Sequence, residues 1–142
     1  ERAKARKAVA HCHERTAWRR DNFCHQESCK IVNKYQIVVT EDLSIKKMSE
    51  TQATERNKSI RSVAWGKFLD MLSAKAVEAG RAHIKVNPAY TSQDCSRCNQ
   101  NRQEMPSKIR VYRCPKCGLE LHRDHNAACN ILRLGMQSLV IT

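Results

Sequence analysis

Four cysteines carry the clearest chemistry in this chain. They stand as two pairs, Cys95-Ser-Arg-Cys98 and Cys114-Pro-Lys-Cys117, with 15 residues between the pairs. Two residues between thiolates let one tight knuckle present both sulfurs to the same ion. The order CxxC, spacer, CxxC is that of a structural zinc ribbon. Four Cys ligands close a tetrahedral site, which makes the ion structural rather than catalytic. The backbone after the second Cys of a knuckle often needs positive φ. Gly118 supplies that after Cys117, and Asn99, the next most tolerant type, follows Cys98. The spacer lacks an apolar core, so a metal would replace one. The bland alternative is a pair of disulfides or unligated thiols.

Two acids form the second candidate constellation. Glu41 ends the apolar run KYQIVVTE, on the face shared by Ile37 and Val39, and Asp124 starts the run DHNAACNILRLG. Phosphodiester cleavage by two divalent ions needs several carboxylates converging on one point, with the ions about 3.5–4 Å apart. Each acid also has a plain reading. Glu41 marks where a strand reaches water, and Asp124 accepts backbone N–H bonds as an N-cap. The remaining cysteines speak less clearly. Cys12, Cys24 and Cys29 crowd the first 30 residues with His11, His13 and His25, and the i, i+4 spacing of His25 and Cys29 puts them on one helix face. A second metal site is one reading, and buried or neutral side chains in a reducing compartment are the other. Cys129 is expected to be a small core residue of the last helix.

The elements that must position these residues follow from periodicity. Residues 1–33 read as one or two basic helices, with no Gly or Pro before Gly66. Residues 35–41 alternate with β-branched residues, as a strand does. Residues 44–58 are polar and charged, a loop. Trp65, Phe68, Leu69, Leu72, Ala76 and Ala79 keep helical spacing, with Ser59 as a cap and Gly80 as a stop. His83–Pro88 gives a short strand with Ile84 and Val86 on one face, and residues 109–113 give another leading into the second knuckle. Residues 125–135 close as a helix, with Gly135 as its expected end.

Composition bounds the partners. The chain has 142 residues, enough for one ordinary domain core. It carries 26 Lys and Arg against 14 Asp and Glu, a net charge of +12, which favours a polyanion, with nucleic acid first and an anionic membrane surface second. Arg15, Arg19 and Arg20 on the first helix, and Lys108, Arg110, Arg113 and Lys116 around the cysteine pairs, are the candidate phosphate contacts. A solvated basic surface is the plainer account of the same charges. No apolar run approaches the ~18 residues of a membrane span, and no secretory leader is visible, so the expected setting is cytoplasmic. The chain opens on Glu1 rather than Met, which suits a fragment.

VVTEDLS, WGKFLDMLSAKAVEAGR, VNPAYTSQDCSRC and CPKCGLELHRDHNAACNILRLG resemble, in that order, the C-terminal part of the TnpB family, the transposon-encoded OrfB-type transposases related to type V CRISPR effectors. The resemblance runs from about Arg15 to the end. Its most specific parts are Tyr90-Thr91-Ser92 before the first knuckle and the Asp-x-Asn-Ala-Ala run after the second. It implies an α/β chain with a partial RNase H-like, RuvC-type fold and an inserted zinc ribbon. Residues 1–89 would belong to the nuclease core, 90–120 to the ribbon and 121–142 to the terminal helix of the core. It implies an RNA-guided DNA endonuclease whose partners are DNA and a guide RNA. Glu41 would match the second catalytic carboxylate and Asp124 the third, holding Mg²⁺, and Cys95, Cys98, Cys114 and Cys117 would hold zinc. The family's first carboxylate is an Asp followed two residues later by Gly, and none of Asp21, Asp42, Asp70, Asp94 or Asp124 fits. Enzymatic activity of this stretch alone is therefore left open, and a non-catalytic nucleic-acid-binding protein from a truncated reading frame is the competing expectation. His122 departs from an acid carried by many relatives.

Overall fold

The computed structural model describes residues 1–43, 64–101, 106 and 108–140. The element order is α1 (Arg2–Lys34), β1 (Ile37–Glu41), α2 (Trp65–Glu78), β2 (Ala82–Val86), β3 (Val111–Arg113), β4 (Glu120–His122) and α3 (Arg123–Val140). Two compact units form. Among the described residues, one comprises 1–38 and 64–83, the other 39–43, 84–101, 106 and 108–140.

In the first unit the basic N-terminal stretch is one helix of 33 residues. Its apolar stripe is ragged, and only Cys24, Ser28 and Val32 are buried on it. Val32 packs with Leu72 and Ala76 of α2, and Ile31, Val38 and Phe68 close around them. Lys75 ties the pair together. Its ammonium donates to the His25 carbonyl at 2.6 Å, the Ser28 hydroxyl at 2.9 Å and the Cys29 sulfur at 3.1 Å. The expected α2 stripe holds at its centre, but Trp65 and Ala79 at its ends are exposed. Gly80, at φ +63°, ends the helix in the left-handed conformation its type favours. The expected cap Ser59 and the expected loop over 44–58 lie outside the described residues.

β1 and β2 pair in one sheet, and β3 and β4 form a second. Ala82 N–H donates to the Gln36 carbonyl and Asp42 N–H to the Val86 carbonyl, so the partners advance together, as parallel strands joined through a helix do. β3 and β4 are antiparallel, with Tyr112 opposite Leu121. The three-residue β4 was not expected from the sequence. In the second unit Tyr112 and Leu119 are buried with Cys95 and Cys114, and Cys98, Cys117 and Leu121 pack on them.

Gly135 does not end the last helix, as expected, but lies inside it, because α3 continues to Val140. A methyl on Gly135 would sit 2.4 and 2.5 Å from the γ carbons of Val39. The missing side chain there is what lets α3 approach β1.

Candidate functional site

Each cysteine pair is built into the same local turn. Asn99 N–H donates to the Cys95 carbonyl at 2.9 Å, and Gly118 N–H to the Cys114 carbonyl at 3.0 Å. Cys95 N–H donates to the Gln100 carbonyl at 3.0 Å, and Cys114 N–H to the Leu119 carbonyl at 2.9 Å. Asn99 and Gly118 take φ of +57° and +68°, the left-handed geometry read from the sequence. The two turns aim their sulfurs at one another. Cys95 Sγ lies 3.6 Å from Cys117 Sγ, Cys98 Sγ lies 3.6 Å from Cys114 Sγ, and all four lie within 4.8 Å. A tetrahedral ion with Zn–S bonds of about 2.3 Å spaces its sulfurs about 3.8 Å apart, so the cradle fits an ion of that size. All eight cysteines are free thiols, which sets aside the disulfide reading.

Two of the four thiols are shifted in opposite directions. Backbone N–H donation from Cys117, joined by that of Lys116 and by the Cys117 and Cys95 thiols, outweighs desolvation and lowers Cys114 to about 6. At Cys117 the N–H of Leu119 also pulls downward. Desolvation and the thiols of Cys114, Cys95 and Cys98 outweigh it and raise Cys117 to about 12. One proton leaves easily and another is held, as expected where several thiolates would repel without a metal between them.

The cysteine cradle is bolted to α3 by two buried asparagines. Asn126 Nδ2 donates to the Asp94 carbonyl at 2.7 Å, and its Oδ1 accepts from Ser96 N–H at 3.0 Å. Asn130 Nδ2 donates to the Thr91 carbonyl at 2.9 Å and to the Asp94 carbonyl at 2.8 Å. Both are almost fully buried, at 0% and 1% exposure, and sequence reasoning missed them. The signal was an i, i+4 pair of asparagines inside a helix, where a residue that competes for backbone bonds needs a reason to be. The turn they grip begins at Tyr90, whose φ of +64° is unusual for a bulky residue.

Glu41, half-buried at the end of β1, accepts a hydrogen bond from the Thr91 hydroxyl at 2.5 Å. It does more than meet solvent. Asp124 lies in the first turn of α3 and its side chain is 71% exposed. It does not act as the N-cap. The preceding His122 takes that place, its Nδ1 accepting from Asp124 N–H at 3.3 Å and lying 3.7 Å from the Asp124 carboxylate. A carboxylate in a first helical turn is still favoured by the helix dipole.

Arg15, Arg19 and Arg20 on α1 and Lys108, Arg110 and Lys116 near the cradle are exposed. Arg113 is exposed too, but its guanidinium grips Glu120 in a two-pronged ion pair at 2.9 and 3.2 Å. The Cys and His residues of α1 do not gather. Cys12 and Cys29 are exposed and Cys24 is buried, and among the described residues only the four-cysteine cradle groups three or more metal-type ligands. Cys129 is half-buried rather than core. Among the described residues no helix is long and apolar enough to cross a membrane.

Known proteins resemble this chain. Residues 65–131 match the family described as Cas12f1-like, TNB domain. A protein of Streptomyces pristinaespiralis named "Putative RNA-guided DNA endonuclease" is 35% identical over 136 residues, which is 95% of this chain and 33% of that protein. The "TnpB-like protein L79" of Acanthamoeba polyphaga mimivirus is 26% identical over 129 residues, 88% of this chain and 24% of that protein. A cryo-EM structure of a Cas12f1-sgRNA-target DNA complex superposes with a TM-score of 0.69 at 24% identity, over 92% of this chain and 38% of that one, so the fold is shared. The chain thus spans about a third of the length of the first of these relatives. Residues 65–131 thus match a Cas12f1-like TNB domain, and most of the chain is similar to proteins named TnpB-like and Cas12f1.

Proposed function

We propose that these residues form the C-terminal part of an RNA-guided DNA endonuclease. In this reading they complete an RNase H-like, RuvC-type nuclease core. The core spans residues 1–89 and 121–142, and a zinc ribbon over 90–120 interrupts it. The four thiols of the cradle hold Zn²⁺, whose part is structural because no ligand position is left open. Glu41 and Asp124 hold Mg²⁺ with a third carboxylate supplied from outside this stretch. Two carboxylates offer hard oxygen donors, which suit Mg²⁺ and separate its chemistry from the soft thiolates. Mg²⁺, when bound, activates a water for in-line attack on phosphorus and neutralises charge on the leaving oxygen. Glu41 presents a carboxylate whose one oxygen is already fixed by Thr91, leaving the other for the cation. Arg15, Arg19, Arg20, Lys108, Arg110 and Lys116 neutralise phosphates of the DNA and guide RNA.

The observation that carries this reading is the linkage of the two acids through one turn. Glu41 is bonded to Thr91, and α3, which bears Asp124, is bonded to the same turn through Asn130. The endonuclease names of the relatives favour it over a protein that binds nucleic acid without cutting it. The test is Glu41→Ala and Asp124→Ala in the full-length protein, with guide RNA, target DNA and Mg²⁺. Both variants should bind target DNA and fail to cleave it. Wild-type cleavage by either removes that residue from the mechanism.

A further inference from the structure

We infer that Thr91 is a positioning residue that sets the carboxylate of Glu41 for its metal. The inference rests on the reading of Glu41 as a metal-binding acid. A hydroxyl has one proton to give. Thr91 Oγ1 lies 2.5 Å from Glu41 Oε1 and 3.1 Å from the Pro88 carbonyl, so the proton goes to the carboxylate. A bond that short is the charge-assisted kind. Glu is a long side chain at a strand end, and without an anchor it samples several rotamers. Anchoring one oxygen fixes the plane in which the other faces a cation, as outer partners do for ligating carboxylates.

The anchor is itself held. Thr91 is 4% exposed. Its carbonyl accepts from the buried Asn130, and Asp94, three residues on, accepts from both Asn126 and Asn130. Tyr90, immediately before it, keeps a left-handed φ of +64°, a conformation that persists in a bulky residue only where the surroundings dictate it. Nothing about the zinc ligands requires Thr91 to carry a hydroxyl. Valine would fill the same volume, so the oxygen is there for its bond to Glu41.

The experiment compares Thr91→Val, Thr91→Ser and Glu41→Gln with wild type in the full-length protein, with guide RNA and target DNA, across a Mg²⁺ titration. Direct Mn²⁺ binding, read from the spin resonance of the free aquo-ion, and zinc content accompany it. Thr91→Val should raise the half-saturating Mg²⁺ and weaken Mn²⁺ binding by roughly ten- to a hundredfold, the loss of a hydrogen bond to a charged group. Saturating Mg²⁺ should restore most of its turnover, zinc content should be unchanged, and Thr91→Ser should stay near wild type. If Thr91→Val loses zinc, Thr91→Ala provides the same contrast. A Mg²⁺ dependence in Thr91→Val equal to wild type overturns the inference. So does a Thr91→Ser variant as impaired as Thr91→Val. Cleavage by Glu41→Gln at the wild-type rate instead removes the reading of Glu41 on which the inference stands, and the two failures are thereby distinguished.

Discussion

Gly135→Ala sets local helix preference against packing, and the structure decides which wins. Alanine is favoured over glycine inside a helix by about 1 kcal/mol, so propensity alone predicts a more stable protein. The new methyl, however, would lie 2.4 and 2.5 Å from the two γ carbons of Val39 and 3.0 Å from its Cβ. Turning the Val39 side chain cannot clear a contact that involves both γ carbons and the β carbon. Strand and helix must separate, and overpacking of this kind costs about 1–3 kcal/mol. Three close contacts favour the upper half of that range, so the net loss should be about 1–2 kcal/mol. In a Val39→Ala background both γ carbons are gone, and the same Gly135→Ala change should become neutral or stabilising by up to about 1 kcal/mol. The double-mutant cycle should therefore give a coupling of about 2 kcal/mol. Chemical denaturation of the four proteins at one saturating zinc concentration measures it. A stabilising Gly135→Ala in the Val39 protein, or an equal cost in both backgrounds, would refute the close approach of α3 to β1. Val39 lies two residues before Glu41 on the same strand, so the variant should also depress cleavage in the full-length protein.

Further outcomes follow from the cradle and its braces. Cys114, lowered to about 6, is ionised at pH 7.5, whereas Cys117, raised to about 12, keeps its proton. Zinc binding at pH 7.5 should therefore release at least one proton, read by calorimetry in buffers of different ionisation enthalpy; release of none would contradict thiolate ligation by Cys117. In the zinc-free protein the two thiols have opposite linkage. The stability from Cys114 is present above its ordinary value of 9.0 and is lost as pH falls through about 6, while that from Cys117 is present below 9.0 and is lost as pH rises through about 12. Asn130→Leu leaves the buried Thr91 carbonyl without its side-chain donor, at about 1–3 kcal/mol, while the Asp94 carbonyl keeps the bond from Asn126, so its denaturation midpoint should fall more than that of an exposed Asn22→Leu control.

How much of this was legible in the sequence differs from residue to residue. The cysteine cradle was, down to the left-handed backbone at Asn99 and Gly118, because ligand spacing and steric tolerance are local properties. The centre of the α2 stripe and its stop at Gly80 were legible for the same reason. Gly135 was misread as a stop because a glycine late in a helix has two causes, chain reversal and close approach, and only the position of Val39 separates them. Asp124 was read as a possible cap, yet His122, a rarer capping type, takes the role. The bonds of Thr91, Asn126 and Asn130 were invisible because each joins residues at least 30 positions apart. β4 is three residues long, too short for a period to register.

The matched turns of the cradle have a consequence for metal exchange. Each turn closes its own backbone hydrogen bonds, and those bonds involve no sulfur. Each turn thus keeps its own two thiolates in place whatever the ion between them. A softer, larger ion such as Cd²⁺ should be accepted by the same four sulfurs, and its ¹¹³Cd resonance would then report four sulfur donors.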